Sequence, residues 1–266
     1  MRTHCNDIYE QLESWYSRDN GQYLMESARA ATQDLLDTWF GYHILQLGVS
    51  GGRALCHGSP INHQVHCAKN LHSNVGLVAD PEALPLESDS VDAIVAHHCL
   101  EFADNPHQVL REIQRVLTPQ GQLLIIGFNP YSLLGCNTRM RGKLRDPLWS
   151  RHQPVSERRL RDWLNLLGCE VLDVSRLYAL PPAGGGRLRQ LSARGDAWAA
   201  RHDLLLGGVY VLHASKQVAG LHPPRRIQYP RRGRLVGLVP KSNPVPVPQT
   251  SYPRKKLTQN KRDVIA

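Results

Sequence analysis

No stretch of this chain approaches the roughly 20 consecutive apolar residues that span a bilayer. The opening segment, MRTHCNDIYEQLESW, is polar and acidic where a secretory leader would be basic and then apolar. Both absences point to a cytoplasmic protein. Cysteine is sparse and unpaired: Cys5, Cys56, Cys67, Cys99, Cys136 and Cys169 form no C-x-x-C pair, which fits reduced thiols used as small hydrophobes better than a disulfide framework. No G-x-G-x-x-G follows the first strand, which argues against a dehydrogenase. Cys56, His57, His63, His66 and Cys67 are residue types that bind zinc, but their spacing matches no familiar site. On a strand, His66 and Cys67 would point to opposite faces, so no metal is expected.

What is present is enough for one sizeable α/β core. The chain has 266 residues, 41% of them hydrophobic, too few for two full-size enzymes to be the default reading. Its net charge of +9 is unevenly placed. From Gln217 onward there are 11 bases against one acid, leaving 21 bases and 22 acids in residues 1–216. The same C-terminal stretch holds eight prolines, Pro223 to Pro253, and offers too little apolar surface to offset the entropy of ordering. The expected organisation is therefore helices over residues 1–40, one domain over 41–216 and a disordered basic tail over 217–266.

Within the domain, helical spacing in YEQLESWY and SARAATQDLLDTWF predicts two helices that lead into a sheet and cover one of its edges. Ile44–Leu47 reads as a strand running into the glycine-rich turn Gly48-Val49-Ser50-Gly51-Gly52, where a helix should begin. Further strands are expected over Val65–Ala68, Val75–Ala79 and Val91–Ala96. Asn105-Pro106 opens a helix carrying Val109, Leu110, Ile113, Val116 and Leu117 at 3.6 spacing, ended by a Pro119-Gln120-Gly121 turn before the strand Leu123–Ile126. Ser156 and Gly168 bound another helix, followed by strands over Glu170–Val174 and Gly208–Leu212. Alternating strands and helices mean a mostly parallel sheet, here with an antiparallel end.

The segment from Val78 to Asn129 resembles the type-11 class I methyltransferases. Asp80, Leu84-Pro85, Val91-Asp92, Asp104, Leu110-Arg111-Glu112, Arg115-Val116-Leu117 and Pro119-x-Gly121 fall in register with that family's pattern. The resemblance implies a Rossmann-like fold, S-adenosylmethionine as cofactor, and Gly48, Ser50, Gly52, Asp80, Pro81, Leu84 and His97 as cofactor contacts. His98 is the candidate catalytic base, because an imidazole after the fourth strand could deprotonate an acceptor near neutral pH. The bland readings stand beside these: Asp80-Pro81 as a turn former, the glycines as a tight corner, and the two histidines as packed loop residues. Asn129-Pro130-Tyr131, after the fifth strand, is expected to line an acceptor pocket.

The chain departs from the family pattern at two places. Gln46 stands where the family carries an acid at the first strand, and Ser50 replaces the middle glycine. After the second strand only Lys69 and Asn70 occupy the place of the acid that grips the ribose, and only Leu71–Asn74 precede the third strand where a helix is expected. Two functions therefore remain open at this level: methyl transfer to a small molecule or an RNA, or a noncatalytic module binding RNA or an acidic partner through the basic tail. Arginine interleaved with Tyr229, Tyr252 and prolines suits either a solubilising tail or an arm for polyanions.

Overall fold

The computed structural model describes residues 6–49, 54–69, 75–177 and 207–217. The chain divides into two units, Met1–Pro223 and Pro224–Ala266. The expected tail beyond Gln217 lies outside the described residues, as do Ser50 and Gly52.

In chain order the elements are α1 (Asn6–Tyr16), α2 (Asp19–Asp37), β1 (His43–Gly48), a single 3-10 turn (Leu55–Gly58), β2 (His63–Ala68), β3 (Leu77–Val78) and β4 (Val91–His97). They continue with α3 (Pro106–Val116), β5 (Leu117–Phe128), α4 (Leu133–Lys143), α5 (Glu157–Leu166), β6 (Cys169–Leu177) and β7 (Val209–Lys216). The seven strands form one sheet in the order β3-β2-β1-β4-β5-β7-β6. The pairs from β3 to β5 are parallel, and β7 runs antiparallel between β5 and β6. This is the α/β, mostly parallel Rossmann-like sheet with an antiparallel strand at its end that the sequence predicts.

Each face of the sheet buries one apolar layer. Leu12, Leu24, Leu36 and Trp39 from α1, α2 and the segment after α2 pack on Ile44, Val95, Leu124, Ile126 and Val211. Val109, Leu110, Ile113, Leu160 and Leu164 of α3 and α5 pack on Leu45, Leu47, Ile94, Leu123 and Leu212. Burying one such side chain stabilises by about 1.5–3 kcal/mol. The central strands are covered on both faces, which explains their near-continuous apolar runs. The two N-terminal helices thus cover a face of the sheet, not the edge expected for them.

Local chemistry sets the boundaries that position the site. The Asn105 side chain accepts from the Gln108 amide at 3.2 Å and Pro106 supplies the first turn of α3. The Pro119-Gln120-Gly121 signal makes a distortion inside β5 instead of a separate turn: Gln120 has φ +65°, and the β4–β5 register shifts between Val91 and Ala93. Among the described residues, the helix expected after β1 is reduced to the 3-10 turn, β3 keeps two of its five expected residues, and α4 stands where no helix was expected.

Candidate functional site

Open parallel sheets bind ligands beyond the carboxyl ends of their strands where the strand order reverses, here between β1 and β4. At that point the chain is stitched to itself. Gly48 has φ +93°, and a β-carbon there would stand 2.1 Å from the His97 carbonyl oxygen, so the crossing of β1 and β4 alone requires glycine. The Val49 amide donates to the His97 carbonyl at 3.1 Å, and His97 Nδ1 donates to the Val49 carbonyl at 2.8 Å. His66 Nε2 donates to the Gly48 carbonyl at 3.0 Å. Gln46, fully buried, donates to the Val49 carbonyl at 2.9 Å and accepts from the Cys56 amide at 3.1 Å. Its amide ties together the two arms of the glycine turn, a task that needs a donor and an acceptor on one side chain.

The two histidines that end β4 are enclosed. The Tyr16 hydroxyl of α1 lies 2.5 Å from His98 Nε2 and 3.3 Å from His97 Nε2. His98, at φ +52°, donates from Nδ1 to Glu101 Oε2 at 2.6 Å, and the other Glu101 oxygen accepts from the Phe128 amide. Burial would raise the Glu101 carboxyl, but the His98 and His152 rings outweigh it and hold the pKa at about 2. Burial, reinforced by the His98 ring, holds His97 down at about 3, so it is neutral at physiological pH. A hydroxyl, an imidazole and a carboxylate in line can pass a proton along the row. As they stand, both nitrogens of His98 are engaged, and no acceptor can reach them while Tyr16 is seated.

On the other side of β1, Asp80 opens a turn closed by its bridge to Ala83. Its Oδ1 accepts from the Glu82 amide at 3.1 Å and its Oδ2 lies 3.2 Å from Lys69 Nζ. Pro81 and Leu84 are buried, and Leu84 belongs to the core beneath α3. Helix α3 holds this turn through its polar face. Glu112 accepts from the Leu84 amide at 3.0 Å, while Arg115 donates to the carbonyls of Leu84 at 3.0 Å and Leu86 at 2.8 Å. Glu82 caps the Asn105 amide and Glu101 is buried beside His98, so neither stands at the end of β2. Lys69 stands there.

Asp80 and Lys69 set an acceptor beside a donor. The Asp80 side chain is half exposed and a carboxylate keeps acceptor sites beyond the two in use, while the Lys69 ammonium is a donor beside it.

Beyond β5, Asn129 donates to the Gly207 carbonyl at 2.9 Å and accepts from the Tyr131 amide at 3.0 Å. Ser132 then caps α4, its hydroxyl accepting from the Gly135 amide at 2.9 Å. A cavity of about 450 Å³ lies against α4, lined by Arg139, Met140, Lys143, Trp149 and His152 among others. His152 Nε2 stands 3.8 Å from Glu101 Oε1, too far for a hydrogen bond. Tyr16, Lys69, Glu101, Trp149 and His152 were not singled out as site residues by the sequence. For Lys69 the signal was present, a base at the end of β2; the others meet the site only through the fold.

With this geometry in hand, three comparisons are informative. A family model described as a methyltransferase domain, type 11, matches residues 41–125. An uncharacterised protein of Escherichia coli, YafS, is 35% identical over 170 residues, which cover 60% of this chain and 68% of that one. Among solved structures, a Thermotoga maritima S-adenosylmethionine-dependent methyltransferase superposes with a TM-score of 0.58 at 19% identity, covering 79% of this chain and 99% of its own. A Haloferax volcanii methyltransferase solved with its activator gives 0.56 at 16% identity, covering 78% and 98%. At these identities the two structures speak to the fold alone.

Proposed function

The chain belongs to the type-11 class I methyltransferases, whose cofactor is S-adenosylmethionine, and from that membership we propose that it moves a methyl group to a nucleophile seated at the carboxyl ends of β4 and β5. When bound, the cofactor supplies an electrophilic methyl carbon whose bond to sulfur breaks, the electron pair leaving to sulfur, as the acceptor's lone pair arrives. Positioning that acceptor in line is the main catalytic requirement. The observation that supports the reading is the Asp80 turn, half exposed beyond the carboxyl end of β3 and tied to α3 at Leu84 by Glu112 and Arg115.

In this reading Asp80 accepts from the adenine amino group, Pro81 and Leu84 fix its turn, and Lys69 donates to the ribose hydroxyls. Gly48, Ser50 and Gly52 let the backbone approach the amino-acid end of the cofactor, and His97 contributes through its backbone. His98 serves as base to the acceptor only after Tyr16 withdraws. Among the described residues no helix is long and apolar enough to cross a membrane, in keeping with a cytoplasmic site of action.

Calorimetric titration with S-adenosylmethionine and S-adenosylhomocysteine tests the reading. Binding tighter than about 1 mM is expected, with Asp80→Ala weakening it about tenfold and leaving the melting temperature unchanged. One observation favours a second reading: Lys69 already engages Asp80 at 3.2 Å. Absence of binding to either ligand would make the fold a noncatalytic module acting on RNA or an acidic partner through its basic C-terminal segment.

A further inference from the structure

Helix α4 places Cys136, Arg139, Met140 and Lys143 on one stripe, at the i, i+3, i+4 and i+7 positions of a single face. All four line the 450 Å³ cavity, with Trp149 and His152 of the following segment beside them. The volume suits a metabolite-sized ligand. Arg141, on another face of the helix, is engaged by Asp146 at 2.8 Å, whereas Arg139 and Lys143 are exposed and pair with no carboxylate among the described residues.

A second observation is independent of these charges. Trp149 is 3% exposed, and its indole Nε1 is buried without a hydrogen-bond partner. Nε2 of His152, whose side chain is 2% exposed, faces the Glu101 carboxylate at 3.8 Å. A buried donor left unpaired is costly and calls for an explanation. Two cations that meet no carboxylate among the described residues and an indole whose donor is unpaired therefore border one cavity with an otherwise largely apolar lining.

From this convergence we propose that the cavity under α4 binds an anionic small molecule with an apolar body, a carboxylate or phosphate carried on a ring or short chain. The anion sits between Arg139 and Lys143 at the mouth, and the body lies against Met140 and Trp149. The cavity adjoins the switch point: His152 stands 3.8 Å from Glu101, which receives the His98 hydrogen bond. In the methyl-transfer reading, on which only this last step rests, the anionic molecule is the methyl acceptor.

The test uses the full chain with naphthoate as probe and neutral naphthamide as its control, by calorimetry and ligand-observed NMR. Naphthoate is expected to bind at one site, at least tenfold tighter than the amide. Arg139→Ala with Lys143→Ala, both exposed and outside the core, should erase that preference. Met140→Ala, at an exposed position outside the core, removes part of the surface under the apolar body and should weaken naphthoate and naphthamide alike with an unchanged melting temperature. Equal binding of acid and amide, or a double variant that binds like the parent, would overturn the proposal. Displacement of naphthoate by a single-stranded RNA oligomer at a much lower concentration would overturn it too, in favour of a nucleic-acid face. A parallel titration with S-adenosylhomocysteine separates the two readings. Naphthoate binding without S-adenosylhomocysteine binding keeps the cavity and removes the acceptor role, and the reverse removes the cavity alone.

Discussion

At position 46 a glutamine amide does what a carboxylate cannot: it donates to the Val49 carbonyl while accepting from the Cys56 amide. Gln46→Glu would turn an acceptor toward an acceptor in a fully buried place. It should cost about 1–3 kcal/mol at neutral pH. The introduced acid would have a folded-state pKa above its unfolded value, so the deficit relative to the parent is absent below about pH 4 and grows as pH rises. Paired urea titrations at pH 5 and pH 8 would check this, and a deficit independent of pH would mean that the loop had rearranged. The parent chain runs the other way. Both Glu101, at about 2, and His97, at about 3, lie below their ordinary values. His97 contributes stability that is full above its unfolded pKa of about 6.5 and is lost as pH falls toward 3, and Glu101 adds a loss between about 4.3 and 2. The urea midpoint should therefore decline steadily from pH 7 to pH 4, and His97→Asn should flatten that decline. A midpoint constant between pH 7 and pH 5 would show that His97 is not held neutral by burial.

Among the elements, α3 links packing to the site. Its apolar face is core, and its polar face grips the Asp80 turn through Glu112 and Arg115. The neighbouring guanidinium holds the Glu112 carboxyl below its ordinary range. Arg115→Ala should release four partners at once, Leu84, Leu86, Ser88 and Glu112. The expected result is a loss of about 1–3 kcal/mol in stability together with weaker binding of S-adenosylhomocysteine, whereas Arg111→Ala, on the exposed side of the same helix, should change neither. Loss of stability with unchanged affinity would leave the turn without a role in binding. This helix was legible in the sequence because its signals are local: Asn105-Pro106 starts it and 3.6 spacing fills it. The same holds for β1, β4 and α5. Helix α4 was not legible, because Gly135 and Gly142 interrupt a weakly amphipathic stretch, and burial of Gly135 and Thr138 by tertiary packing overrides that weakness. Nor was the Tyr16–His98–Glu101 row, since Tyr16 and His98 are 82 positions apart and nothing near either one predicts the other. The glycine turn was legible as a motif, but the reason for Gly48, a carbonyl from β4, was not.

At the scale of the whole molecule, the end of β7 is tied down. Lys216 Nζ donates to the Gln114 carbonyl at 2.8 Å and the Leu117 carbonyl at 2.7 Å, and the Gln217 amide donates to the Gly168 carbonyl at 2.9 Å. Removing the residues after Ala219 leaves all of these in place, so the shortened chain should keep its melting temperature. It should also lose most retention on heparin and the steep salt dependence that 11 bases confer. Equal retention of both forms would move the anion site onto the domain. The seated Tyr16 has a further consequence, one of time. If His98 serves as base, it is available only for the fraction of moments in which α1 has lifted, and the apparent affinity of anything that must reach it is reduced by that fraction. In rapid mixing, the rate at which a molecule that must reach His98 is captured should then level off as concentration rises, at the frequency with which the helix lets go. Tyr16→Phe, lacking the latch hydroxyl, should lift that ceiling, and a rate that climbs in proportion to concentration without limit would mean that the door was never shut.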